Sequence, residues 1–154
     1  MSVEQRLREL NITIPPPGRP VANYVGAVRT GNLVFVSGHG PRRPEGGSVT
    51  GKLGRDLTVE QGYEAARLCI LAGLASLQAE IGDLNLVRRI VKLLGMVNCT
   101  EDFAEPPQVI NGASDLLVAV FGDAGRHARS AVGMQMLPSN IAVEIEMIVE
   151  VGDR

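Results

Sequence analysis

The stretch that decides the fold spans residues 127–150 and reads HARSAVGMQMLPSNIAVEIEMIVE. Apolar residues alternate with carboxylates from 143 to 150, and only an extended strand satisfies a period of two. The preceding half predicts another strand, and the Pro-Ser-Asn sequence at 138–140 predicts a turn that closes the two strands into a hairpin. One face of the last strand is therefore apolar, whereas the other carries carboxylates that include Glu144 and Glu146.

Further helices and strands are predicted ahead of this hairpin. They are a short amphipathic helix over residues 1–10, strands over 25–29 and 33–37, a long helix over 59–81, a strand over 87–97 and a helix over 107–121. Thr58 and Gln61 have the spacing of a capping box at the start of the long helix. Residues 30–32, Thr-Gly-Asn, predict a hairpin turn. The strand at 87–97 is apolar on both faces, which favours a central position in a sheet.

This order of elements predicts an α+β fold in which two helices pack on one face of a mixed sheet. The opposite sheet face would carry Glu144 and Glu146 beside apolar strand residues, with no helix to cover it. A half-apolar sheet face of this kind is expected to be buried against other copies of the chain. We therefore expect an oligomer.

The composition is that of a single globular domain, with 154 residues, 45% hydrophobic and 21% charged. The formal net charge is −2, and the basic pairs at 42–43 and 88–89 are too short to form a polybasic tract. Aromatic residues make up only 3% of the chain, so there is no platform for stacking bases. The composition therefore gives no support for nucleic-acid binding.

The cysteines and the apolar segments indicate a cytoplasmic protein without a metal site. Cys69 and Cys99 have no CxxC spacing and no histidine at ligand spacing, so we expect free, buried thiols rather than a zinc site or a disulfide. Residues 1–10 are charged and lack the apolar core of a signal peptide. The longest apolar run, residues 68–77, is half the length of a membrane span.

Arg129 and Glu144 are the candidates for holding an anionic substrate and moving a proton. A guanidinium can grip a planar carboxylate through two parallel hydrogen bonds, which an ammonium cannot. Each residue also has a plainer interpretation. Arg129 could be a surface arginine paired with an acid, and Glu144 could be one of three solvated acids on an exposed strand face.

The chain resembles the RidA/YjgF family, also called L-PSP endoribonucleases, from about residue 23 to the C-terminus. The motifs that carry the resemblance are Tyr24 ahead of the first strand, Leu33-Val-Phe-Val-Ser-Gly38, Asn111, Arg129-Ser-Ala-Val132, Leu137-Pro138 and Val143-Glu-Ile-Glu146. The resemblance implies a chorismate-mutase-like fold and a homotrimer with a pocket at each subunit interface. Residues 1–22, an N-terminal helix and a Pro-rich extension, lie outside the usual pattern and indicate a longer subgroup, with residues 23–154 as the RidA/YjgF-like domain.

The resemblance also implies an activity, the hydrolysis of reactive 2-enamino and 2-imino acids to 2-keto acids and ammonia. Arg129 would grip the substrate carboxylate and Glu144 would position or activate water, with no metal or cofactor. The other pocket positions match Tyr24, Ser37, Asn111 and Ala131. Plainer interpretations stay open for three of them, namely packing for Tyr24, turn chemistry for Ser37 and helix capping for Asn111, which could also hydrogen-bond across the interface.

Some positions depart from the family pattern. Many relatives carry Cys or Thr at the position of Ala131, often Gln at His39, and often a Phe-Pro pair within the Gly-Arg-His-Ala sequence at 125–128. His127 should share a face with Arg129, although a lone histidine is more often a surface or packing residue. These departures keep a second function open, a non-catalytic protein that binds a 2-keto acid or similar small carboxylate. An endoribonuclease is disfavoured by the acidic balance, and neither nucleic acid nor membrane is expected as a partner.

Overall fold

The computed structural model describes residues 1–153 and confirms the α+β class. Five strands form one mixed sheet in the order β1-β2-β5-β3-β4, in which only the β3–β4 pair is parallel. The strands are β1 Ala27–Thr30, β2 Leu33–His39, β3 Val87–Asn98, β4 Ala128–Met134 and β5 Val143–Val151. The helices are α1 Val3–Glu9, α2 Val59–Ile81 and α3 Pro106–Phe121, with short 3₁₀ turns at residues 84–86, 122–125 and 138–140.

The predicted hairpin between the last two strands is wrong. β3 lies between β4 and β5 and pairs with both. Because β3 is the strand that is apolar on both faces, a place inside the sheet buries more of its surface than an edge would. The connection at 135–142 crosses the end of β3, where the buried Asn98 amide donates to Asn140 Oδ1 at 2.9 Å and to the Ile141 carbonyl at 3.1 Å.

Helix α2 begins and ends where the sequence predicts. The Thr58 hydroxyl accepts from the Gln61 backbone N–H at 3.2 Å, and the Gln61 side chain accepts from the Thr58 N–H at 2.8 Å, which completes the capping box. Gly82 ends the helix with a φ of +86°, a conformation that favours glycine. Within residues 1–153 no helix is long and apolar enough to cross a membrane.

Helix α3, which carries part of the predicted site, is held tightly against α2. A Cβ on Gly112 would collide with the backbone carbonyl of Tyr63, so only glycine permits this crossing. Both helices cover the sheet face that carries Val143, Ile145 and Met147, all of them buried. Both cysteines are free and buried, as predicted. Burial raises the pKa of Cys69 well above its usual value, which makes its thiol unreactive.

The opposite side of the sheet, here called the open face, is not covered by any helix of residues 1–153. Strand register places on it Val28, Leu33, Phe35, Lys92, Leu94, Val132, Glu144, Glu146 and Ile148. Four of these apolar side chains are 36–52% exposed, namely Val28, Leu33, Phe35 and Val132. A contiguous face of this kind is typical of a surface that another protein chain covers.

The N-terminal segment packs back on the domain. Ser2 and Gln5 form a capping box for α1, which the sequence reading missed. Leu7 is buried in the core, and the Val3 N–H donates to Asn85 Oδ1 at 2.8 Å. The Pro-rich part that follows is fixed by Arg42, whose Nη2 donates to the Pro16 carbonyl at 2.6 Å. The domain boundary between residues 22 and 23 stays a prediction.

Candidate functional site

The six residues predicted for the pocket separate into two groups within one chain. In the first group, Asn111, Arg129 and Ala131 lie along α3 and β4. In the second group, Tyr24, Ser37 and Glu144 lie around the end of β2. In the sheet order, β4 is three spacings of ~4.8 Å from β2, or about 14 Å, and two spacings, or about 10 Å, from β5, which carries Glu144. Strand register also places Arg129 on the helix-covered face of the sheet and Glu144 on the opposite face. A single small substrate therefore does not contact both groups in the same chain.

Arg129 is the centre of the first group. Its Nη1 donates to the Ser114 hydroxyl at 3.0 Å, and its Nη2 donates to the Pro107 carbonyl at 3.4 Å. Pro107, Asn111 and Ser114 are four and three residues apart, so they form one stripe along α3 with Asn111 between the two contacts. Within residues 1–153 the Arg129 guanidinium forms no ion pair with an acid. The structure therefore does not support the interpretation of Arg129 as one partner of a surface ion pair.

Ser114 connects Arg129 to His127. His127 Nδ1 lies 2.7 Å from the Gly125 carbonyl, which can only accept, so Nδ1 carries the proton. Nε2 then accepts from the Ser114 hydroxyl at 2.9 Å, while the same oxygen accepts from Arg129. Burial is the main cause of a lowered pKa for His127, and the charge of Arg129 adds to it against the raising effect of the Gly125 bond. His127 is therefore neutral near pH 7 and lies on the same side as Arg129, as predicted.

Asn111 and Ala131 complete this group. Helix α3 begins at Pro106 with Glu105 as its N-cap residue, so Asn111 lies in the helix interior and does not cap it. Ala131 is two residues after Arg129 on β4, shares its face and packs partly against the core. Asn111 therefore lies on the helix stripe that contacts Arg129, where its side-chain amide could hydrogen-bond a ligand.

Ser37 and Tyr24 belong to the second group. The Ser37 hydroxyl donates to the Val25 carbonyl at 2.6 Å, and its backbone N–H donates to the Gly26 carbonyl at 2.9 Å. Ser37 thereby holds the segment ahead of β1, as the turn interpretation expected, and its hydroxyl oxygen keeps a lone pair for a ligand. Tyr24 is 52% exposed and lines a cleft of about 190 Å³ together with Ser37, so packing in the core is not its role.

Glu144 and Glu146 share the open face but have different surroundings. A Cβ on Gly38 would collide with the Glu144 carboxylate, so glycine lets this side chain lie against the backbone of β2. Burial is the main cause of a raised pKa for Glu144, and the charge of Glu146 adds to it. Glu146 itself is exposed and lines a shallow cleft of about 450 Å³ on the open face with Phe35 and Lys92. The increase moves the pKa of Glu144 toward the range that suits a general base.

His39, the last residue of β2, has hydrogen-bond partners of the same kind as His127. Its Nδ1 donates to the Ser37 carbonyl at 2.5 Å, and its Nε2 lies 2.7 Å from the hydroxyl of Ser76 on α2. Burial mainly lowers the pKa of His39, and the charge of Arg42 adds to this despite the Ser37 bond. Neither Ser76 nor Ser114 was marked by the sequence. The sequence signal that could have identified them was their place on a helix face, because Ser76 on α2 faces His39 and Ser114 on α3 faces Arg129.

Comparison with known proteins defines the class. A sequence model described as "YjgF/chorismate mutase-like, putative endoribonuclease" matches residues 4–151. The chain belongs to this YjgF family. Protein TCP17 of Trypanosoma cruzi is 45% identical over 152 residues, which cover 98% of this chain and 95% of TCP17.

Solved structures give the same result. Atu1372 of Agrobacterium tumefaciens, a protein of unknown function, is 46% identical with a TM-score of 0.90, covering 99% of this chain and 94% of that one. A protein of Shewanella oneidensis, described as a "putative endoribonuclease", is 32% identical with a TM-score of 0.94. The match covers 98% of this chain and 100% of that one. YjgF of E. coli is 27% identical with a TM-score of 0.61, covering 90% of this chain and 94% of its own. Because a 99% match includes nearly all of residues 1–22, Atu1372 shares the N-terminal extension.

Proposed function

We propose that the protein is a cytoplasmic enamine/imine deaminase whose active site lies between the subunits of a homotrimer. The observation that carries the proposal is the state of Arg129. Its guanidinium is half-buried, oriented by a hydroxyl and a carbonyl, and not neutralised by a carboxylate within residues 1–153. A cation held by neutral groups remains available for the carboxylate of a small ligand.

The separation of the two residue groups supports an intersubunit site. When the surface with Arg129 and Asn111 of one subunit meets the surface with Tyr24 and Glu144 of the next, the predicted pocket is complete. An interface between two different surfaces of the chain is heterologous, and it forms a closed ring when the rotation between subunits closes. The exposed apolar residues of the open face provide a surface that would be buried between the subunits of such a ring. Three copies are the number that the family resemblance implies.

The proposed reaction uses the two groups in different roles. Arg129 of one subunit binds the carboxylate of a 2-imino acid and fixes the imine carbon near Glu144 of its neighbour. Glu144 removes a proton from a water molecule as the water oxygen adds to the imine carbon. The proton then passes from Glu144 to the imine nitrogen. The hydroxyl of the resulting carbinolamine then gives up its proton, which Glu144 passes to the nitrogen as the carbon–nitrogen bond breaks, and the 2-keto acid and ammonia are released. An enamine enters the same route after it gains a proton on carbon and becomes the imine. Because such imines already react with water, the protein supplies orientation and a proton route.

Two other functions use the same surface with less support. A carboxylate-binding protein without turnover would need only Arg129 and Asn111, and the absence of a thiol or hydroxyl at Ala131 favours it. An endoribonuclease needs an acid and a base near one phosphodiester bond. His39 and His127 each have both ring nitrogens engaged by groups of their own subunit, so neither offers a free nitrogen for that role.

The decisive experiment measures ammonia release from an imine made in place by a flavin amino-acid oxidase, with catalase present to remove peroxide. The wild-type protein should accelerate release over the spontaneous rate, and Arg129→Ala should lose roughly 10²-fold or more of that activity. Arg126→Ala is the matched control, because Arg126 is an exposed neighbour paired with Asp123 at 3.8 Å. Binding of 2-keto acids without any acceleration would instead identify a binding protein.

A further inference from the structure

The cleft that Tyr24 and Ser37 line also includes Gly38, against which the Glu144 carboxylate lies, and residues of the N-terminal extension. Its far wall is formed by Gly18, Arg19 and Arg42. Ser37 lines both this cleft and the cleft on the open face. A ligand whose reactive end lies near Glu144 would therefore direct its other end toward the two arginines.

Arg42 is held in place by neutral groups. Its Nη2 donates to the Pro16 carbonyl at 2.6 Å, and Gly18 lets the guanidinium lie against the backbone, since a Cβ there would be 2.6 Å from Nη1. Its neighbour Arg43 is different, because it pairs with Glu45 at 3.9 Å and donates to the Ser48 carbonyl at 3.0 Å. Within residues 1–153, neither Arg19 nor Arg42 forms an ion pair with an acid.

The cleft is thus positive in a chain whose net charge is −2. No described residue that lines it is acidic. His39, which also lines it, uses Nδ1 to donate to the Ser37 carbonyl and Nε2 to contact the Ser76 hydroxyl. A concave surface of one charge sign concentrates its field and attracts ions of the opposite sign. The ligand end that fits here is an anion.

We propose that Arg19 and Arg42 bind a second anionic group of the substrate, so that the preferred substrates are 2-imino acids with a carboxylate at the end of the side chain. This inference rests on the proposed function, because it takes the same pocket as the reaction site. The cleft volume of about 190 Å³ is below the ~300–1,000 Å³ of pockets that enclose a drug-sized ligand. A cleft of this volume suits a short acidic tail.

The test compares two stable 2-keto acids of equal chain length by calorimetry, 2-oxoglutarate with its terminal carboxylate and 2-oxopentanoate with a methyl group. The wild-type protein should bind 2-oxoglutarate about tenfold or more tightly than 2-oxopentanoate. The double variant Arg19→Gln and Arg42→Gln should lower this ratio to about one and leave 2-oxopentanoate binding unchanged. Arg43→Gln should keep the wild-type ratio, and Arg42→Lys, which keeps the charge, should keep most of it.

The possible outcomes separate this inference from the proposed function. Because binding is measured without turnover, a protein that fails the imine assay but shows the ratio and its loss in the double variant supports the anion site alone. Equal binding of the two acids by the wild-type protein, or an equal effect of Arg43→Gln, overturns the inference even when neutral imines are hydrolysed. Stronger competition against 2-oxoglutarate by inorganic phosphate than by acetate would assign the site to a phosphate-bearing tail and overturn the carboxylate assignment.

Discussion

The Ser114 hydroxyl accepts a hydrogen bond from Arg129 Nη1 at 3.0 Å and fixes the guanidinium along the outer stripe of α3. The same hydroxyl donates to Nε2 of His127, so its single proton and one of its lone pairs are both used. The arginine is therefore oriented before any ligand arrives. Such preorganisation lowers the entropy lost on binding and leaves more of the contact energy for affinity.

Replacing Ser114 with Ala should weaken 2-keto acid binding by about tenfold, because a hydrogen bond to a charged group contributes roughly 1.5–3 kcal/mol and Arg129 keeps its bond to the Pro107 carbonyl. The pKa of His127 should rise, since the lost hydroxyl donates to the neutral ring. Calorimetry measures the first effect, and NMR titration of the imidazole measures the second. Ser114→Thr keeps the hydroxyl and should restore both values. An unchanged His127 pKa in a folded Ser114→Ala variant would contradict the hydrogen-bond chain.

Removing Arg129 should affect binding far more than folding. Loss of a bidentate, charge-assisted contact corresponds to about 2–4 kcal/mol in carboxylate affinity. The free energy of unfolding should change by less than about 1 kcal/mol, because Arg129 is only half-buried and forms no ion pair with an acid within residues 1–153. Calorimetry with a 2-keto acid and urea unfolding measure the two quantities for Arg129→Ala. An unchanged affinity in the folded variant would show that the carboxylate binds elsewhere.

Much of the fold follows from local patterns. The alternation along β5, the capping box of Thr58 and Gln61, and the two-residue turn at Gly31 each depend on residues close in sequence, and the structure confirms all three. The connection at 138–140 does contain a turn, but turn chemistry does not specify which strand becomes the neighbour. The insertion of β3 between β4 and β5 depends on competition among all strands for the buried positions of the sheet.

The candidate site was predictable to a similar degree. Position and residue type pointed to Arg129 and Glu144. The signal for Ser114 was only its place on the helix stripe of Asn111, because Ser114 contacts Arg129 from another element. The alternation placed Glu144 and Glu146 on one face, as observed. Their unequal burial depends on the backbone of β2 at Gly38, which is remote in sequence. Contacts between distant segments are the part that pattern reasoning does not supply.

The protein should be a trimer in solution, with three times the chain mass of 16.4 kDa. Light scattering coupled to size exclusion at micromolar concentration measures this mass. Phe35→Glu should yield a folded monomer, because Phe35 is 45% exposed on the open face and a carboxylate there opposes burial against another copy. Val21→Glu is the control, since Val21 is 93% exposed and lies outside the sheet. A monomeric wild-type protein would remove the intersubunit site.

Glu144→Gln should separate catalysis from binding. The amide keeps the size and much of the hydrogen bonding but does not accept a proton at neutral pH, so imine turnover should fall by roughly 10²-fold or more while keto-acid affinity stays similar. Glu146→Gln is the matched control on the same face, where the carboxylate is exposed. Equal losses in both variants would indicate a general effect of charge or assembly rather than a base at Glu144.

The pH dependence of the wild-type protein provides a second readout for Glu144. A general base works when ionised, so turnover should rise with pH through a pKa above the usual glutamate value, because burial and the charge of Glu146 raise it. The raised pKa of Glu144 affects the free energy of unfolding in the opposite direction, so that stability falls as pH rises. A folded-state pKa above the unfolded value means that the protonated form is favoured on folding, so this contribution is present at low pH and is lost as pH rises through the raised pKa. Glu144→Gln should therefore remove both the rise in turnover and this part of the stability profile, as steady-state rates and urea unfolding across pH 4–8 will measure. A wild-type rate profile that Glu144→Gln leaves unchanged in shape would assign the base to another group.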